Sequence, residues 1–163
     1  MINIGTKREC FFDDYLIDNE KSDAKILLHK PQIKEITMTL DKPWEGDGSD
    51  FFNFFYDDGI YRMYYLGWTF EHLRSGAGKI KVCYAESDDG ITYTRPNLGI
   101  CEFEGSKDIN IILDEKTMRF DNFFVFKDKN PACKKGQEYK AIALDMDKKA
   151  LFAFYSSAAA RLR

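Results

Sequence analysis

Three aspartates, Asp47, Asp50 and Asp121, each stand just ahead of an aromatic run. Carboxylates so placed can accept a proton, donate one or attack an electrophilic carbon. Asp47 and Asp50 belong to Pro43-Trp44-Glu45-Gly46-Asp47-Gly48-Ser49-Asp50, a glycine-bearing acidic loop. Aspartate in such a loop also forms turns with its own side chain, so a catalytic and a turn-forming reading both stand. Asp121, after Phe120, carries the same two readings. Trp44 and Trp68 offer flat apolar faces suited to the C–H groups of a sugar ring, with core packing an equal alternative for each. Glu45 is read as a binding residue or a solvated loop acid. Asp57, Asp58, Asp88 and Asp89 read as turn residues, and His72 and Arg74 as exposed members of a polar loop.

Other chemistries find less support. Cys10, Cys83, Cys101 and Cys133 are widely spaced with no Cys-x-x-Cys pair, and His29 and His72 are the only histidines. Zinc sites need closely paired ligands, so the expectation is no metal, no cofactor, and free thiols packed in strands. A net charge of -3 gives no electrostatic reason to expect nucleic acid or an anionic membrane as partner. It leaves a neutral carbohydrate open. No apolar run approaches membrane-spanning length, and Met1 is followed by polar residues rather than an apolar leader. A cytoplasmic setting is expected.

The elements that must position these residues read as strands. Of 163 residues, 15% are aromatic, a share that favours sheets, where flat rings pack on pleated surfaces. Extended segments are expected over Glu9–Ile17, Ala24–Leu28 and Ile33–Leu40. Phe51–Tyr56, the turn Asp57-Asp58-Gly59 and Ile60–Trp68 follow, then a strand from Lys81 that turns at Asp89-Gly90 and returns through Asn97. Helical periodicity is absent, with one turn at most over Asp114–Met118. A second unit repeats the order: Asp121–Phe126, Tyr139–Leu144 and Leu151–Ser157. Tyr61-Arg62-Met63-Tyr64-Tyr65 answers to Tyr139-Lys140-Ala141-Ile142-Ala143, at a period of roughly seventy residues. Residues 1–42 are thus an N-terminal β extension, 43–110 a first four-stranded unit and 111–163 an incomplete second one, within one domain.

Several segments carry a resemblance, in order along the chain. They are Phe12-Asp13-Asp14-Tyr15-Leu16-Ile17, Tyr61-Arg62-Met63-Tyr64-Tyr65, Glu86-Ser87-Asp88-Asp89-Gly90-Ile91, Pro96-Asn97-Leu98-Gly99 and Gly105-Ser106-Lys107-Asp108-Ile109-Asn110. Together they resemble the N-terminal part of the five-bladed β-propeller superfamily that includes glycoside hydrolase families 32 and 43. The resemblance implies an all-β fold of about two antiparallel four-stranded blades behind the extension, acting on glycosidic bonds of carbohydrates. It implies an essential Asp at the start of each blade's innermost strand, which falls at Asp50 (or Asp47) and at Asp121, where Asn122 replaces the family's proline. The acid Glu belongs to a later blade, so the chain alone is expected to be inactive. A non-catalytic carbohydrate-binding or self-associating sheet module is the alternative. Two blades leave edges open, so a homo-oligomer is expected, formed by symmetric edge pairing or exchange of Phe11–Ile17.

Overall fold

A computed structural model describes residues 3–25, 27–71, 80–116 and 118–161, which leaves His72 and Arg74 outside the described residues. The chain divides into two compact units, 1–35 and 36–163. In the first, the described residues form turns and coil, held by short-range bonds such as Ile17 N–H to Asp14 O (3.0 Å). The expected β extension is therefore corrected. Aromatic and β-branched content favours an extended chain, but a strand also needs a neighbour for its N–H and C=O groups. Phe12 and Leu28 are 92% and 98% exposed.

The second unit is all-β, with a short 3-10 turn, Pro43–Glu45, ahead of two antiparallel sheets. The first sheet runs in order β1 (Gly48–Asp57), β2 (Ile60–Trp68), β3 (Lys81–Ser87) and β4 (Ile111–Asp114). Asp58 and Gly59, at φ of 51° and 81°, close the β1–β2 hairpin, the backbone that a tight turn of this hand requires. The turn at Asp89-Gly90 forms, but its return is a single bridge, Glu86 to Thr94, rather than a strand. The fourth strand comes instead from Ile111–Asp114, which pairs with β3 and carries the first sheet past residue 110.

The second sheet has three strands, β5 (Phe120–Lys127), β6 (Tyr139–Asp145) and β7 (Ala150–Ser156). Its pairing repeats that of the first. Asp50 lies opposite Leu66 and Tyr61 opposite Ser87; likewise Asp121 lies opposite Leu144 and Tyr139 opposite Ser156. The repeated order of strands read from the sequence thus has its counterpart in the pairing register.

The sheets stack front to back. Tyr64, Leu66, Val82 and Tyr84 on one face of the first sheet pack on Phe123, Val125, Ala141 and Ala143 of the second. The first sheet's other face buries Met63, Tyr65, Cys83 and Ala85 beneath Leu40, Trp44, Tyr93 and Phe103. Across the stack, Asn53 Oδ1 accepts the Val125 N–H (2.8 Å), and Tyr64 donates its hydroxyl to Ala159 O (2.8 Å).

Candidate functional site

Asp50 and Asp121 occupy the same position in their sheets. After each comes a residue in the left-handed region, Phe51 at φ 49° and Asn122 at φ 55°. After each the pairing slips, so that two residues oppose one: Phe51 and Phe52 face Tyr65, and Asn122 and Phe123 face Ala143. This is a β-bulge, a device that re-aims a side chain and collects beside functional sites. Asparagine tolerates a positive φ, whereas a bulky phenylalanine there is strained by roughly 1–3 kcal/mol. Asn53 meets Val125 and Asp57 meets Lys127, so β1 and β5 run in the same sense. The two aspartates therefore lie at the same end of the stack. Asp50 is exposed and Asp121 half-buried, with one Asp121 oxygen accepting the Asn122 N–H (2.8 Å).

The other candidates divide between this end and the core. Asp47 is a loop clamp: its Oδ2 accepts the Phe70 N–H (2.8 Å), and its own N–H donates to Trp68 O (2.8 Å). Trp68 is half-buried on the Asp50 face, opposite Gly48, where a Cβ would run into the indole ring. Its Nε1–H is buried and has no hydrogen-bond partner among the described residues. Trp44 is on the opposite face, donating to Asn110 Oδ1 (2.7 Å) with its ring edge-on to Phe103.

Glu45 is not the solvated loop acid that one of its readings made it. It is 2% exposed and accepts from Tyr65 OH (2.6 Å), Arg95 Nε (2.8 Å), Arg95 Nη2 (3.0 Å) and the Lys42 N–H (2.9 Å). Asn110, fully buried, extends the network by donating to Tyr65 OH (2.9 Å) and Tyr84 O (2.8 Å). Burial pushes the Tyr65 phenol up, and the neighbouring Cys83 and the bond to Glu45 act in the same direction. Gly67 makes this packing fit, because a Cβ on it would come 2.8 Å from Glu45 O and 2.9 Å from Glu45 Cα. Gly67→Ala is expected to cost about 2 kcal/mol through forced backbone displacement, readable in urea unfolding as a lower midpoint at unchanged slope.

Asp57 carries another correction. Its turn reading came from Asp57-Asp58-Gly59, yet the side chain is buried and accepts from Lys127 Nζ (2.5 Å) and Tyr139 OH (2.5 Å). Arg62 Nε lies 3.8 Å away, and Arg62 Nη1 donates to Tyr84 OH (2.6 Å). The cluster bolts the two sheets together at the end away from Asp50 and Asp121. The repeat again shows itself, since Lys140 pairs with Asp128 in the second sheet as Arg62 does with Asp57 in the first. Asp89 does form the expected turn. Its carboxylate accepts the N–H groups of Thr92 and Ile91 and the Ser87 hydroxyl, which hold its pKa down to about 2.

A cavity of about 480 Å³ beside the first sheet is lined by Lys81, Glu102, Phe103, Glu104, Asp114 and Glu115, and holds none of the candidates. Lys81 Nζ lies over the Phe103 ring, 5.3 Å from its centroid. No group of three His, Cys, Asp or Glu among the described residues is placed to hold a metal ion. No described helix is long and apolar enough to cross a membrane. No family model, no curated protein and no solved structure matches the chain.

Proposed function

We propose that the chain is two repeat units of a β-propeller of the glycoside hydrolase type, and that it binds carbohydrate at the end of the stack bearing Asp50 and Asp121. One observation carries the reading: the first strand of each sheet has near its start an aspartate followed by a left-handed residue and a bulge. Two unrelated turns have no reason to share that geometry. Repeated presentation of a carboxylate at one end of stacked sheets suits a ligand rich in hydroxyl groups, each able to donate to an ionised oxygen. Trp68 supports the same ligand class, with a ring face for sugar C–H groups and a buried N–H that lacks an acceptor among the described residues.

Glycoside hydrolysis needs one carboxylate to attack or to activate water, a second group to protonate the leaving oxygen, and negative charge near the oxocarbenium-like transition state. Asp50, exposed on the bulge, is assigned the first role, and Asp121 the holding of hydroxyls and the stabilisation of positive charge. The proton donor is assigned to a group outside this pair, so the isolated chain binds sugar without turning it over. Titrating neutral oligosaccharides into the labelled chain should perturb amide resonances of 47–53 and 120–124. Asp50→Asn and Asp121→Asn should each weaken that binding about tenfold, a loss of about 1.4 kcal/mol. Binding that ignores both substitutions, or perturbs only the far end of the sheets, refutes the site.

A further inference from the structure

We infer that two copies of this chain pair through β7, edge to edge and antiparallel, so that their three-stranded second sheets join into a continuous one. A sheet edge displays N–H and C=O groups that template an extended partner, and proteins block such pairing with bulges, short edge strands or covering groups. The other sheet edges here are blocked in these ways. β1 and β5 each carry a bulge near the start, and the Val125 N–H of β5 is taken by Asn53 Oδ1 (2.8 Å). β4 is only four residues long. β7 is the exception. Its seven residues, Ala150-Leu151-Phe152-Ala153-Phe154-Tyr155-Ser156, keep an unbroken register with β6 and include no proline, glycine or charge. Such a segment on an open edge is built to pair. Among the described residues no strand or bridge pairs with its other side. The two sheets approach most closely where β1 and β2 meet β5, at the opposite edge of the second sheet from β7.

The occupant is a second copy because the strand is complementary to itself and has no charge with which to select a foreign one. Only a twofold axis at Ala153 leaves no residue of β7 unpaired. It sets Leu151 opposite Tyr155 of the second copy, Phe152 opposite Phe154, and Ala153 opposite Ala153. Aromatic side chains thus meet aromatic or aliphatic ones, the cross-strand pairs that stabilise sheets most. Leu151 and Tyr155 are 73% and 51% exposed in the single chain, and their mutual contact covers part of both. Lys148 and Lys149, in the hairpin ahead of β7, fall opposite Ala158 and Ser157, so the register brings no like charges together. The contact is isologous and closes at two copies. Asp50, Asp121 and Trp68 lie on other strands, so the inference stands apart from the carbohydrate reading and survives its failure.

Sedimentation velocity of the full chain over a concentration series tests it. The expected result is a monomer–dimer equilibrium that grows no further. Two double variants then read the register. Leu151→Lys with Tyr155→Lys sets like charges opposite one another twice, whereas Leu151→Lys with Tyr155→Asp sets opposite charges at the same two places. Both side chains are exposed, and unchanged far-ultraviolet dichroism verifies the fold of each variant. Both variants lose the same apolar contacts, so their difference reports the pairing alone. The first should dimerise about thirtyfold more weakly than the second. A wild-type chain that stays monomeric, association beyond a dimer, or equal dimerisation of the two variants each overturns the proposal.

Discussion

Replacing Glu45 by alanine is expected to lower the unfolding free energy by about 4 kcal/mol. The carboxylate is nearly sealed from water and satisfies Arg95, Tyr65 and the Lys42 N–H together. Truncation leaves a mostly buried guanidinium with only the more exposed Asp41 carboxylate, 3.5 Å away, and a phenol without this acceptor, and both incur desolvation with little in return. Arg95→Ala alone should cost no less, because the carboxylate it strands is 2% exposed, against 17% for the guanidinium. The pair should be strongly non-additive: once Glu45 is gone, removing Arg95 relieves a charge that has lost its nearest partner. Urea unfolding of the two single variants and the double variant measures this, and a coupling near zero would show that the cluster does not act as a unit.

Asp57→Ala is expected to cost about 3 kcal/mol by unbolting the sheets. The effect is smaller than at Glu45 because Lys127 is about a quarter exposed (24%) and can turn to solvent. Burial alone would raise the Asp57 pKa, but hydrogen bonds from Lys127 and Tyr139, with the charges of Lys127 and Arg62, outweigh it and leave the carboxyl below its ordinary value. A depressed carboxylate stabilises the fold at every pH above its unfolded value, and that contribution disappears as pH falls through the lower folded value. The stability difference between wild type and Asp57→Asn should therefore be constant from neutral pH down to about pH 4 and shrink below it. Lys127→Met should reproduce part of the loss. Equal acid sensitivity in wild type and Asp57→Asn would remove Asp57 from the account.

Where sequence and structure agree, the agreement rests on period. Tyr61–Leu66 and Tyr139–Leu144 hold equivalent positions in their sheets, the first buried on both faces and the second alternating, and both adopt the same register. The all-β class follows from this alternation together with Asp58-Gly59, whose residue types favour a tight turn. Asp50 and Asp121 are legible as acids ahead of aromatic runs. The bulges behind them are not, because nothing in the type of Phe51 announces a positive φ; only pairing with β2 compels it.

The misreadings share a different cause. Glu9–Ile17 has strand composition but has no partner strand among the described residues, and composition cannot supply hydrogen bonds. Ile111–Asp114 looks like the opening of a second unit because it follows a long loop, yet it returns to pair with β3. Asp57 reads as a turn residue because Asp-Asp-Gly has the same local chemistry whether its first carboxylate meets water or Lys127 of another sheet. Glu45 is a second case of the same kind. Its neighbours Gly46 and Asp47 mark a loop, while its partners Tyr65, Arg95 and Lys42 come from β2, a distant loop and the preceding turn. By itself the sequence determined the strand period, the hairpin turn and the repeat; the period and the turn act between near neighbours in the chain, and the repeat is the same period met twice. The tertiary structure alone decided which acids are buried and paired, which strand completes the first sheet and which faces stay uncovered. Each of those depends on a partner far away in sequence, and local residue type carries no record of it.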